Sequence, residues 1–586
     1  MSARTYNHVP GQPLSPERSI LLHLAVAAAS ALLLTLSFPE PGWWPLAFVA
    51  LVPIGTAAVR SRHTTRLAWT AALVFFIWSL FMFRWMAPVT VGGMIGLAVA
   101  HSFFNTSALL LARRLHRKLG WGMFIALPLM WVSIEFFRSH TPFGGLAWFT
   151  MGHPLAPYDA AHGTSRLIQI ADLFGEFAPS VLVVMTNGLI IDLITRPLMR
   201  ATRHDRSRLK RGMVVALGAW AVLMIGTFAY GQWRISQHPR VTEQGPNIAV
   251  VQTNVPQDNK NFPTTEQIIQ DWRDMVALTI EAGEMTPRPD LIVWPETMVH
   301  GPLNPEARDL TDGQAYHEQI SVLASEHTRA ALLVGGRAAQ RWEPVTTEDG
   351  QQYLYPQQRY NSVFLYHHDG TQDPQRYDKI YRVPFGEYIP VADSWPWLKR
   401  LFISAFSPHG QDYSLTAGQQ RSRFELAWAQ NNQPVYFVTP ICFEDVVARA
   451  TRQLIYNDSG RKTAQVIVNV TNSAWYPLSH QQPQHLQMAV FRSIENRVPT
   501  ARSVNHGISG FIDSVGRVGP TVTVDGRRHG VEGVVAHEML LDSRETFYGR
   551  WGGLPMALFT LTAAGVVLAS AFRRGNIDPA SRRSVR

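Results

Sequence analysis

Long apolar stretches alternate with short basic loops along this chain, and that alternation constrains its fold more than any other feature. Apolar runs occupy residues 20–38, 43–59, 67–88, 91–112, 121–137, 177–194, 213–230 and 554–572. Each is close to the ~20 residues that an α-helix needs to cross a bilayer. The mean hydropathy of -0.03 hides this, because the polar middle of the chain cancels its two apolar ends. The first run follows Arg18 and leaves through Ser37-Phe38-Pro39, with no small-residue cleavage site. It is also long for the apolar part of a secretion signal, so it reads as a retained helix.

Basic residues gather in every second loop: Arg60, Arg62 and Arg66, then Arg113, Arg114, Arg117 and Lys118, then the stretch 196–211 and the tail after Arg573. The loops at 39–42 and 88–92 carry almost none. Lys and Arg mark cytoplasmic loops, so eight crossings place both termini in the cytoplasm and the polar middle outside. The expected organisation is a membrane domain of seven helices over 1–235, a second domain over 240–548, a last crossing over 552–573 and a basic cytoplasmic tail over 574–586. The net charge of +10 is spent on these loops. A nucleic-acid surface would instead set its basic residues on a folded domain among aromatics, so no nucleic-acid partner is implied.

The middle of the chain has a different texture. Short β-branched runs, such as Asn247-Ile248-Ala249-Val250-Val251 and Val466-Ile467-Val468-Asn469-Val470, alternate with helical stretches over 265–282 and 315–326. Such alternation predicts an α/β domain built on a layered sheet. The run Leu291-Ile292-Val293-Trp294 is apolar at consecutive positions, as in a central strand buried on both faces.

Three of these runs end in a reactive side chain. Leu291 to Trp294 leads through Pro295 to Glu296. The stretch Tyr377-Asp378-Lys379 leads through Val383-Pro384-Phe385-Gly386 to Glu387. Val435-Tyr436-Phe437-Val438 leads to Cys442 and Glu444. Strand ends are stiff, and groups mounted there keep the positions that catalysis requires. Taken singly, each has a plainer reading: a buried apolar cysteine, a surface acid, a solvated lysine. Cys442 is the only cysteine, so no internal disulfide forms, and an exported domain with one thiol holds it either buried or reactive.

In the order Glu, Lys, Cys, these segments resemble the nitrilase (carbon–nitrogen hydrolase) superfamily. Along its whole length the chain resembles the apolipoprotein N-acyltransferases. The resemblance rests on Val383-Pro384-Phe385-Gly386-Glu387-Tyr388-Ile389-Pro390, on Asn469-Val470-Thr471-Asn472-Ser473-Ala474-Trp475, on His485-Leu486-Gln487-Met488-Ala489 and on Asn505-His506-Gly507-Ile508-Ser509-Gly510. In the apolar part it rests on the stretch 128–138 and on Gly145-Leu146-Ala147-Trp148. Departures are Phe443 where the family often has Tyr, Ser473 where it usually has Asp, and Trp475-Tyr476-Pro477 in place of a Trp-Phe-Gly turn.

The resemblance implies a polytopic α-helical membrane domain joined to an extracytoplasmic α/β domain with a nitrilase-like αββα sandwich, set in a bacterial inner membrane. It implies a catalytic triad of Glu296 as base, Lys379 as oxyanion support and Cys442 as nucleophile. Glu387 and Glu444 would orient and neutralise Lys379, although Glu444 also fits an ordinary structural ion pair. The acyl donor would be a phospholipid and the acceptor the α-amine of a diacylglyceryl-modified apolipoprotein. Trp148, Trp475 and Tyr476 are candidates for lining lipid access, or else core and interface aromatics. A membrane-tethered amidase and a scaffold without turnover remain alternatives at this stage. No metal and no cofactor are expected: His367, His368, His480 and His485 lack zinc spacing, and no glycine-rich phosphate loop follows a strand.

Overall fold

A computed structural model describes residues 16–195, 203–258, 263–346, 351–390, 395–406, 414–428, 431–477 and 479–572. The basic tail and part of the 196–211 cluster lie outside these residues. The apolar end of the chain forms α1 (Pro16–Ser37), α2 (Val52–Arg60), α3 (Thr64–Met82), α4 (Val91–Leu119), α5 (Met123–Arg138), α6 (Phe177–Thr195) and α7 (Arg203–Val241). Among the described residues, six helices are long and apolar enough to cross a membrane, five of them in this set and the sixth at Leu554–Phe572. The other two expected crossings are shorter. The 43–59 run divides into a 3-10 turn, Trp44–Phe48, and the nine residues of α2. The 121–137 run forms α5, whose 16 residues include Pro128 and reach only about 24 Å, less than the ~30 Å of a bilayer core.

Helix ends follow their local chemistry. The Thr90 side chain accepts from Gly93 N at 3.1 Å and starts α4. The helix then runs on through the Arg113–Lys118 cluster and stops at Gly120, whose φ of 71° suits a residue without Cβ. Helix α7 has 39 residues, about 58 Å, and ends at Val241, where β1 begins with the next residue. The membrane region and the α/β region are therefore joined without a linker.

Two six-stranded sheets form the middle of the chain. The first has the order β12-β1-β2-β3-β4-β5, from Gly533–Asp542, Thr242–Gln252, Leu291–Val293, Ala331–Thr346, Gln352–Tyr366 and Gln372–Asp378. The second has the order β11-β10-β9-β8-β7-β6, from Val518–Thr521, Gly510–Ile512, Thr500–Asn505, Val466–Asn472, Asn431–Val438 and Phe424–Trp428. The central strands are parallel in both sheets and the flanking ones antiparallel. Their inner faces share one apolar core, which includes Val250, Val293, Leu333, Phe437, Val468 and Ala501. The Ser503 hydroxyl reaches the carbonyls of Val251 and Val293, at 2.7 and 2.9 Å, and pins one sheet to the other. Helices α8 (Thr265–Gly283) and α9 (Gly313–Val322) cover the first sheet. After α10 (Pro396–Phe406), helices α11 (Ala448–Ile455) and α12 (Gln481–Asn496) follow, and α11 and α12 flank the second sheet. The layers are those of an αββα sandwich.

Helix α12 belongs to both halves. All of its residues are buried, including Gln484, His485, Gln487, Arg492 and Glu495. A helix polar on one side and buried all round must meet protein on that side too. It does: Trp148 Nε1 donates to Gln484 at 2.9 Å, and Gln487 donates to the Ala156 carbonyl at 2.7 Å. Arg492 pairs with Glu176 at 2.8 Å. Just beyond α12, buried Arg497 pairs with Asp172 at 2.6 Å, and Asp172 also receives Arg234 of α7 at 2.7 Å and the Tyr230 hydroxyl at 2.8 Å.

Removing one partner from a buried pair leaves an uncompensated charge, at about 3–5 kcal/mol. Asp172→Ala is expected to lower the thermal unfolding temperature in detergent markedly. Asp458→Ala, which removes the exposed partner of Arg421, is expected to leave it unchanged. Equal behaviour of the two variants would contradict this role for Asp172.

Candidate active site

The three sequence-predicted groups meet where the strands of the two sheets end. Strand β2 is wholly buried, and Trp294 N continues its pairing to the Leu333 carbonyl at 2.8 Å. The chain then passes so close to Gly335 that a Cβ there would lie 2.0 Å from the Pro295 carbonyl oxygen. That approach delivers Glu296. Lys379 follows β5, with its N–H on the Asn361 carbonyl and its own carbonyl accepting from Gly418 N, both at 2.8 Å. Cys442 opens a 3-10 helix, Cys442–Asp445, after β7, and takes a φ of 51°. This left-handed conformation costs a non-glycine residue of the order of 1–2 kcal/mol and persists because the neighbours over-determine it.

Lys379 is the centre of the arrangement. Its side chain is only 1% exposed, and Nζ lies 2.8 Å from Glu387 Oε1 and 3.5 Å from Glu296 Oε1. Asn361 Nδ2 donates to both acids, at 2.6 Å to Glu296 and 3.4 Å to Glu387. The second oxygen of Glu296 accepts from Asn472 N at 2.8 Å, and that of Glu387 from Val383 N at 2.8 Å. Burial opposes the lysine charge, but Glu387, Glu296 and the Cys442 sulfur outweigh it and hold the ammonium above its ordinary range.

Cys442 is half-buried and within electrostatic reach of the same groups. Burial pushes its thiol up, Glu296 and Glu387 push the same way, and Lys379 alone pulls it down. The net direction is upward, so the resting thiol is protonated. Burial also raises the Tyr476 phenol, with the Cys442 sulfur the next cause.

Glu444 departs from expectation. It makes no ion pair with Lys379. Its Oε1 accepts from the Tyr377 hydroxyl and from the N–H groups of Ile380 and Tyr381, at 2.8, 2.9 and 2.9 Å, and its Oε2 from Ile441 N at 2.8 Å. Burial pushes its carboxyl up to about 6 against these donors. Glu444 thus ties the main chain after Lys379 to the main chain before Cys442. Glu387 alone of the two supporting acids contacts the ammonium. Trp148 is buried, on Trp85 at 5.3 Å and on Gln484, and is no surface aromatic. Tyr476 meets Trp85 edge-on at 4.7 Å, whereas Trp475 is half-buried beside it.

Several residues of the site went unassigned on sequence alone. Asn361 joins the two acids. Asn472 orients Glu296 and is itself held by Asn505 Nδ2 at 2.9 Å. Asp445, in the turn of Cys442, is clamped by His485 and Arg502. The signal available was position: Asn361 precedes the buried run Val363–Tyr366, and Asn472 ends β8, as the catalytic candidates end theirs.

A thiol, a carboxylate and an ammonium converging at strand ends of paired sheets can form and release a thioester. The class agrees: residues 247–522 match the carbon-nitrogen hydrolase family, and residues 30–189 match the apolipoprotein N-acyltransferase N-terminal domain. A protein of Geobacter metallireducens named apolipoprotein N-acyltransferase is 30% identical over 577 residues, covering 96% of this chain and 97% of its own. One of Rhodopirellula baltica with the same name is 27% identical over 574 residues, covering 91% and 94%. Among solved structures, an amidase from Nesterenkonia sp. AN1 is matched at 15% identity with a TM-score of 0.34, over 54% of this chain and 97% of its own. The chain belongs to the apolipoprotein N-acyltransferase family.

With one cysteine in the chain, alkylation reports on Cys442 alone. Its rate with iodoacetamide is expected to keep climbing with pH beyond the ordinary thiol range of about 8.5. Lys379→Met, which removes the downward pull, should shift the profile to still higher pH. Glu296→Gln should shift it lower. The opposite order would contradict the electrostatics described.

Proposed function

We propose that this protein moves a fatty acyl chain from a phospholipid, through a thioester on Cys442, to the α-amine of the diacylglyceryl-modified N-terminal cysteine of an apolipoprotein. The observation that carries the reading is Lys379 buried between Glu296 and Glu387, with Cys442 in reach, in a chain similar end to end to proteins named for this activity. In the first half-reaction, Glu296 takes the thiol proton as sulfur attacks the ester carbonyl. Lys379 stabilises the oxyanion. The N–H of Phe443, early in the 3-10 turn, has no acceptor within it and suits the same oxygen. The ester oxygen leaves as a lysophospholipid hydroxyl, taking the proton from Glu296. In the second half-reaction the acceptor amine attacks the thioester, Glu296 takes its proton, and the thiolate departs and is reprotonated.

The reading also sets the protein in its membrane. We read the basic loops as cytoplasmic, with both termini inside and the sandwich on the outer, periplasmic side, and keep the domain limits expected from the sequence. Both substrates have their reacting groups at the bilayer surface, and pulling an acyl chain free of lipid costs about 0.8 kcal/mol per CH₂. A site held at that surface avoids the cost. Tyr476 and Trp475 suit the lining of the lipid path, and Trp148 backs them from below.

The test follows labelled acyl chains from phospholipid to a diacylated lipopeptide. Wild type should form the N-acyl peptide with two-stage, ping-pong kinetics. Cys442→Ala should form none, Glu296→Gln should lose about 10²–10⁴-fold, as removal of a general base does, and Phe443→Tyr should remain active. Release of free fatty acid without transfer would favour an amidase-like hydrolase instead.

A further inference from the structure

Arg337 stands beside the catalytic groups with no side-chain partner among the described residues. Strands β3 and β4 keep an unbroken antiparallel register from Leu332 opposite Tyr366 to Gln340 opposite Gln358, which sets Arg337 opposite Asn361 and Ala339 opposite Arg359. Alternation along the strands fixes which way each side chain faces. Leu333, Val363 and Leu365 point into the core between the two sheets, whereas Val334, Ala338 and Phe364 point to the outer helices. Arg337, Arg359 and Asn361 therefore share the inner face, where Asn361 meets Glu296 and Glu387. Opposed side chains on one face have Cβ atoms about 5 Å apart, so the Arg337 stem starts beside Asn361. Two residues before it on the same face, a Cβ on Gly335 would lie 2.9 Å from Glu296 Cα.

Arg337 is exposed and yet crowded by protein. The crowding lowers its guanidinium from the ordinary value, and the Arg359 charge lowers it further. Both conditions are met where a side chain lines a cleft: protein surrounds it and solvent still reaches its tip. Arg359 beside it donates to the Ser414 carbonyl at 3.2 Å. Two neighbouring cations disfavour each other, and an anion between them relieves both.

We propose that Arg337, with Arg359 beside it, binds the phosphodiester of the acyl donor while the donor's ester lies at Cys442. The inference deepens the proposed acyl transfer and rests on it. Charge supports it first. Glu296, Glu387 and Lys379 together carry a net charge of minus one, which repels a phosphate, and two guanidinium groups on the adjoining strands reverse that sign. Reach supports it next. Only a glycerol unit separates ester from phosphate, so a donor with its ester at the nucleophile brings its phosphate within range of a long side chain mounted beside Asn361. The planar guanidinium fork also matches two phosphate oxygens at once. The acceptor carries no phosphate beside its amine. The same contact thus tells the first substrate from the second in a site that takes them in turn.

Protection of Cys442 from iodoacetamide tests this on the full chain without turnover, since the chain has no other thiol. The probes are a diether analogue of phosphatidylglycerol, which has the phosphate but no ester to cleave, and the matching dialkylglycerol, which has neither. In detergent micelles the phospholipid analogue is expected to half-protect the wild-type thiol at about a tenfold lower mole fraction, the order expected of a charge-assisted hydrogen-bonded contact. Arg337→Gln should bring the two lipids together. Arg337→Lys, which keeps the charge and loses the fork, should fall between. Equal protection by the two lipids in wild type, or a phospholipid advantage undiminished in Arg337→Gln, would overturn the proposal. Excess inorganic phosphate protecting as well as the phospholipid analogue would assign the two arginines to a free anion and overturn it equally. Should neither lipid protect the wild-type thiol, the phospholipid-donor reading itself falls and takes the arginine site with it, so the two failures are told apart.

Discussion

One buried ammonium organises this protein. Lys379 sits out of water between two carboxylates, and an ion so placed is tolerable only where its partners are held in good geometry. That requirement explains the surrounding polar structure: Asn361 spans both acids, Asn472 and Val383 N–H groups fix their outer oxygens, and Glu444 sews together the two stretches of main chain that carry Lys379 and Cys442. The charge balance has a chemical consequence. Two carboxylates and one ammonium carry a net charge of minus one, so a free thiolate would add to a negative site. Passing the thiol proton to Glu296 leaves the total unchanged. In the proposed reaction the nucleophile is thus made at the moment of attack, when the developing oxyanion gains the support of Lys379.

The membrane half takes part in this geometry through α12. On one side the helix meets the membrane region at Trp148, Ala156 and Glu176; on the other it reaches the turn of Cys442, where His485 pairs with Asp445 and Arg492 donates to the Val446 carbonyl at 3.3 Å. The Asp172 cluster ties α7 to the end of α12. The segment between α5 and α6 thus forms one wall against α12, and a sandwich cut from it would expose a helix whose residues are all buried.

Much of this was legible in the sequence for a physical reason. Long apolar runs and buried central strands are local patterns, and so is a reactive residue placed where a strand ends. Those patterns located the helices, the layered sheets and the trio Glu296, Lys379 and Cys442, which the fold brings together. What stayed hidden depends on distant contacts. Hydropathy does not register the 3-10 turn that divides 43–59, nor how Pro128 fits within the short α5. The resemblance implied Glu444 as a counter-ion of Lys379, yet its Oε1 is held by groups some sixty positions away, the Tyr377 hydroxyl and the N–H groups of Ile380 and Tyr381. Trp148 stood open between a lipid path and the core, and it is buried against a glutamine 336 residues on.

The account stands on a covalent step, and mass spectrometry of the intact protein tests it most directly. Incubated with phospholipid alone, the wild-type chain should gain the mass of one acyl group, map it to the peptide containing Cys442, and lose it to hydroxylamine or to added diacylated lipopeptide. An enzyme that completes N-acylation with no acyl group ever on Cys442, or that carries it on another residue, would contradict the account.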